Sequence, residues 1–169
     1  MWNHTDIPLA YLITFRSYGT WLHGDKRGSV DRFHNQSETP DLPRDDERFM
    51  HTISQLSSEA VTLDAKQREF VEQAIRETCT FRNWTLRAIN VRTNHVHAVV
   101  SIGTALPGRA LNDFKAYATR AMRLNGCWVS KRSPWSDKGS KRWLWNERSI
   151  ELAIDYVMNR QGKELPKFE

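Results

Sequence analysis

Cysteine is scarce in this 169-residue chain: Cys79 and Cys127 are the only two, far apart and in no Cys-x-x-Cys pair. That excludes a disulfide framework and a zinc ribbon, and it suits a reducing compartment. Long apolar runs are missing as well. No stretch reaches the roughly 20 residues of a membrane-spanning helix, and Met1 to Asp6 is no basic segment leading into an apolar one. The expectation is a cytoplasmic protein with neither a secretory leader nor a membrane span. Internal repeats are absent. No His-x-Thr or His-x-Ser occurs, which argues against a two-histidine phosphoesterase. No Lys/Arg-Gly-Phe-Gly-Phe run marks the stacking strand of an RNA-recognition module.

What is present points to an ordered domain. Hydrophobic residues make up only 39%, yet seven Trp and seven Phe supply bulky core material and argue against disorder. The length suits one domain over residues 1–169, able to bury about two-thirds of its unfolded surface. The net charge of +5 is unevenly placed. Residues 1–108 hold 12 Lys+Arg against 13 Asp+Glu, whereas residues 109–169 hold 13 against 7. A basic last third suits a polyanionic partner. A merely soluble basic surface would count the same, so motifs must decide.

Along the chain, Leu9 to Tyr18 reads as a first strand, with Tyr11, Ile13 and Phe15 alternating against Leu12, Thr14 and Arg16. A long polar insertion follows, at about 19–60, unusual in a compact domain unless functional or mobile. It opens on Gly19-Thr20-Trp21-Leu22-His23-Gly24-Asp25, where Trp21 could stack on a base or plug the core. His23, Asp25 and His34 match no metal-binding spacing. Thr62 caps an expected helix running to about Phe81. Trp84 to Val91 is a second strand, with Trp84, Leu86, Ala88 and Asn90 on one face. A short turn, Arg92-Thr93-Asn94, makes it a hairpin with the next strand.

That third strand carries His95 and His97. Period 2 puts both imidazoles on one face with Val99 and Ser101, while Val96, Ala98, Val100 and Ile102 form an apolar stripe on the other. Two neutral imidazoles at i and i+2 can converge on one metal ion, although a half-solvated face would also carry them. Pro107-Gly108 precedes a helix from about Arg109 to Leu124, whose Lys115, Arg120 and Arg123 form a basic flank. Lys141 and Arg142 open a short strand. The last helix, Glu147 to about Gln161, has its apolar arc at Ile150, Ala153, Ile154 and Val157, with Tyr156 leaving the arc at its edge. Strand, helix, strand, strand, helix, strand gives an α+β, ferredoxin-like antiparallel sheet, plus an extra C-terminal helix.

His95-Val96-His97 on a strand and Tyr156 on a terminal helix resemble the single-tyrosine HUH transposases of small bacterial insertion sequences. Tyr11 to Asp25 looks like the branch of REP-associated tyrosine transposases, which act on palindromic repeats. The resemblance implies a metal-dependent endonuclease and strand transferase on single-stranded or hairpin DNA. His95 and His97 would hold Mg2+ or Mn2+, and Tyr156 would attack to form a 5′-phosphotyrosine. Trp21, Lys115, Arg120, Arg123, Lys141 and Arg142 are the candidate DNA contacts. One departure stands out. The family places a third ligand, Gln, one turn after the tyrosine, and here that position is Arg160, which cannot ligate a cation. Gln161 is the preferred substitute and Asn159 the other. Relatives use the tyrosine in cis or across a homodimer, and both arrangements stay open. A catalytically silent hairpin binder on the same fold is the alternative.

Overall fold

A computed structural model describes residues 6–20 and 59–167 of the chain. Trp21, His23, Asp25 and His34, with most of the polar insertion, lie outside the described residues.

Seven elements follow one another: β1 (Ala10–Arg16), α1 (Ala65–Arg82), β2 (Thr85–Val91), β3 (His95–Ser101), α2 (Pro107–Leu124), β4 (Ser140–Leu144) and α3 (Glu147–Asn159). The strands pair in the order β2-β3-β1-β4, and every pairing is antiparallel. This is the ferredoxin-like α+β arrangement that the element order implied.

Strand periodicity divides the sheet into two working faces. Tyr11, Ile13 and Phe15 of β1 and Val96, Ala98 and Val100 of β3 pack with α1 and α2 in the larger core. Leu12 and Val99 face the other way and pack with Ile150, Ala153 and Val157 of α3. Both faces of the central strands are therefore covered. Among the described residues no helix is long and apolar enough to cross a membrane.

Three details differ from the sequence-based expectation. Asp64, not Thr62, caps α1: its side chain accepts from the Gln67 N–H while Gln67 reaches back to the Asp64 N–H. That reciprocal box satisfies two otherwise orphaned donors, which Thr62 is too far upstream to reach. Helix α2 starts at Pro107 itself, where the missing N–H is harmless. The third difference is a bulge in β2. Leu86 pairs with Val100 and Ala88 with Val99, so Arg87 is the extra residue. The strand's phase inverts there. Leu86 before it and Ile89 and Val91 after it all join the larger core, while Ala88 turns to α3.

The loop before β4 is also core material. Trp135 is buried edge-on against Phe15, with ring centroids 4.9 Å apart. Its indole N–H reaches the Lys115 carbonyl and the Thr119 hydroxyl. At Gly139 a Cβ would stand 2.7 Å from the Thr14 carbonyl oxygen, so only glycine lets β4 approach β1 this closely.

Candidate active site

The His strand lies next to β1, and register decides what surrounds each ring. Thr14 stands directly opposite His97, and its hydroxyl lies 2.7 Å from His97 Nδ1. Asn94, in the turn before β3, brings Oδ1 to 2.7 Å from His95 Nδ1. Both rings are thus held by their outer nitrogens, as imidazoles that ligate through Nε2 are held in metal sites. The two rings meet edge to face, with centroids 4.7 Å apart.

Helix α3 crosses this face and delivers Tyr156. Asn146 caps the helix through the Ser149 N–H, and Ile150, Ala153 and Val157 anchor it to the sheet. Asn90 of β2 donates to the Val157 carbonyl at 2.9 Å, fixing the helix lengthwise. Tyr156 then packs edge-on against His97 at 5.2 Å between centroids, while remaining 37% exposed. The phenol is both next to the imidazoles and open to a substrate.

Gln161 completes the cluster. The last helical residue is Asn159, and Arg160 already has non-helical dihedrals, so the 100° spacing no longer governs residue 161. Gly162 takes φ +87°, a left-handed turn suited to glycine. The chain folds back, Gln161 Nε2 donates to the Tyr156 carbonyl at 3.0 Å, and Oε1 comes within 3.1 Å of His95 Nε2. The same side chain also acts on His97, whose pKa it pulls upward. Asn159 is engaged elsewhere, donating to Asp155 Oδ1 at 2.9 Å. Arg160 also turns to Asp155.

Electrostatics favour a neutral His97. Burial, then the neighbouring His95, push its pKa down to about 3, with a smaller push from Arg142 and an opposing pull from Gln161. A neutral imidazole is the form that ligates a cation. His95 gives the sharper test of fit. Asn94 Oδ1 faces one ring nitrogen and Gln161 Oε1 the other. Two carbonyl oxygens at one ring are satisfied by an imidazolium, or by a neutral ring whose Nε2 shares a cation with Gln161. Two imidazoles and an amide oxygen suit a divalent ion. Among the described residues no group of three His, Cys, Asp or Glu gathers.

The basic residues divide between the two faces. Arg142 pairs opposite Leu12, on the His face, whereas Lys141 pairs opposite Ile13, on the α1/α2 side. Lys115, Arg120 and Arg123 belong to α2, across the sheet from the imidazoles. Lys115 donates to the carbonyls of Ser136, at 2.8 Å, and Lys138. Burial pushes its pKa down to about 8. Arg123 reaches the carbonyls of Ser130, Lys131 and Arg132. These two side chains shape the 130–138 loop, and Arg120 is exposed.

Thr14 and Asn94 were missed by sequence reasoning. Thr14 carried one signal, a polar residue between apolar neighbours on the face that pairs with the His strand; Asn94 carried none beyond adjacency.

Comparison with known proteins adds the family. The family model described as "Transposase IS200 like" matches residues 48–159, a span that includes His95, His97 and Tyr156 and stops short of Gln161. Among solved structures, a REP-associated tyrosine transposase bound to a REP hairpin is similar at 13% identity and TM-score 0.49, covering 93% of this chain and 69% of the other. A protein of Deinococcus radiodurans R1 assigned as a transposase is similar at 10% identity and TM-score 0.47, covering 95% and 97%. No curated protein matches the chain in sequence.

Proposed function

The chain belongs to the IS200-like transposase family, and from that premise we propose that it cleaves and rejoins single-stranded DNA through Tyr156. The observation that carries this reading is the contact between the Tyr156 ring and His97, 5.2 Å apart within one chain, on a face where Gln161 also meets the imidazoles. It supports use of Tyr156 in cis. Hairpins or palindromic repeats are the proposed substrates, as the resemblance of Tyr11 to Asp25 implies.

His95, His97 and Gln161 would hold Mg2+ or Mn2+, which supplies Lewis-acid polarisation of the scissile phosphate and neutralises the charge that builds on it. The rest is done by the chain. Arg142, on the same face, offers a fixed positive charge to the DNA backbone. The Tyr156 oxygen attacks phosphorus as its proton leaves to solvent; the bond from phosphorus to the 3′ oxygen breaks, and that oxygen takes up a proton. The products are a 5′-phosphotyrosyl bond and a free 3′-hydroxyl. Attack by a 3′-hydroxyl reverses the step and rejoins a strand. Because Tyr156 is borne on a helix anchored by buried Ile150 and Val157, the phenol is presented with little orientational freedom.

The test is a covalent protein–DNA adduct on a denaturing gel, with hairpin oligonucleotides and Mn2+. Tyr156→Phe keeps the ring and removes the nucleophilic oxygen. The adduct should vanish while hairpin binding and thermal stability stay near wild type. An adduct that survives in the Phe variant overturns the assignment, and wild-type binding without any adduct would leave a hairpin binder instead.

A further inference from the structure

Gln161 sits beyond the end of its helix, on a tail that runs to Lys167 without further helix or strand. Ordering such a segment costs about 1–2 kcal/mol per residue in backbone entropy alone. Two guanidinium groups from elsewhere in the fold grip it. Arg92 donates to the Lys163 carbonyl at 2.8 Å, and Arg68 of α1 donates to the Pro166 carbonyl at 2.7 Å. The Arg92 guanidinium also borders Gly162, where a Cβ would lie 3.8 Å from it.

The clamp is built into the turn that presents the His strand. The Arg92 N–H donates to the His95 carbonyl at 2.8 Å, closing that turn. Arg68 holds the Leu63 carbonyl through its other arm, and the Leu63 N–H donates to the Thr93 carbonyl. Tail, turn and the start of α1 are therefore stitched together around His95. Burial and then the charge of Arg68 lower the pKa of Arg92, so the two cations are close and partly withdrawn from water. Such an arrangement is unfavourable unless the carbonyls they hold compensate it.

We propose that Arg92, braced by Arg68, is a positioning residue that sets Gln161 against His95 and His97. This rests on the reading that Gln161 works with the imidazoles. A helix alone would not aim residue 161 at the His face; a helix that stops, a left-handed Gly162 and a tail pinned at residue 163 do.

The experiment uses the full chain in two states. Without metal, NMR of the imidazole nitrogens reads His95 and His97 in wild type, Gln161→Ala, Arg92→Ala and Arg92→Lys. The Arg92→Ala signals should move in the direction of Gln161→Ala, with Arg92→Lys between, because an ammonium can still donate to one carbonyl. With Mn2+, half-saturation should rise by about 10-fold in Arg92→Ala, the scale of a lost supporting partner. Imidazole signals at wild-type positions in Arg92→Ala overturn the proposal. Signals that move together with unchanged Mn2+ binding in both Ala variants uphold the positioning and remove Gln161 from the metal reading. Arg68→Ala serves as the second variant, with the same two outcomes, should Arg92→Ala fail to fold.

Discussion

Gln161 Oε1 lies 3.1 Å from His95 Nε2, although 66 residues separate them in the chain. No helical spacing produces that contact. It follows from α3 ending at Asn159 and from the turn at Gly162. Of the two amides near the end of α3, only Gln161 faces the imidazoles; Asn159 is held by Asp155.

That geometry separates the two amides experimentally. Gln161→Ala should raise the Mn2+ concentration needed for half-maximal adduct formation by about 10-fold or more. Asn159→Ala should stay within about threefold, since it loses only an exposed bond to Asp155. A larger effect from Asn159→Ala would exchange their roles.

Thr14 is expected to act through His97. Thr14→Val keeps the shape and removes the hydroxyl that lies 2.7 Å from Nδ1. Metal affinity should fall by about 10–100-fold, the range for such outer partners, and Thr14→Ser should restore most of it. The check is Mn2+ titration of the purified variants. Equal affinity in the Val variant would remove Thr14 from the site.

His97 predicts the acid sensitivity of the metal-free protein. Its folded pKa is pushed down to about 3, against an ordinary 6.5. As pH falls below about 6.5 the unfolded chain takes up a proton and the folded one does not, so stability is lost with falling pH. Above that window the residue contributes no slope. The loss approaches about 1.4 kcal/mol per pH unit for one such group. In EDTA, wild type should lose more thermal stability between pH 7 and pH 4 than His97→Gln. Parallel Tm curves would contradict a neutral, buried His97.

Placement of the basic residues predicts which of them feel DNA. Arg142 shares the face of the His pair, so Arg142→Ala should lower the salt slope of single-strand binding by about 0.7. Arg123→Ala should leave that slope near wild type, because Arg123 lies on α2, across the sheet from the imidazoles. Salt titrations of hairpin binding distinguish them. Slopes reduced equally in the two variants would place the DNA on both sides of the sheet, and a wild-type slope in Arg142→Ala would remove Arg142 from the DNA contacts.

Period-2 and period-3.6 patterning by themselves determined the element order, the two faces of β3 and the edge position of Tyr156. They suffice because burying an apolar stripe fixes which way the alternate side chains point. Strand alternation failed at Arg87, where a bulge inverts the phase of β2 and puts Leu86 and Ile89 on one face. Local capping preference also misplaced the start of α1, since Asp64 and Gln67 form a reciprocal pair that Thr62 cannot. Only the tertiary structure decided the partners of the imidazoles. Thr14 meets His97 because β1 and β3 pair in one register, and Gln161 meets His95 because Arg92 and Arg68 hold the tail. It likewise withdrew Lys115 from the set of free cations by giving it the carbonyls of Ser136 and Lys138. Contacts of this kind join residues far apart in the chain, where strand register and helix ends, not local pattern, set the distance.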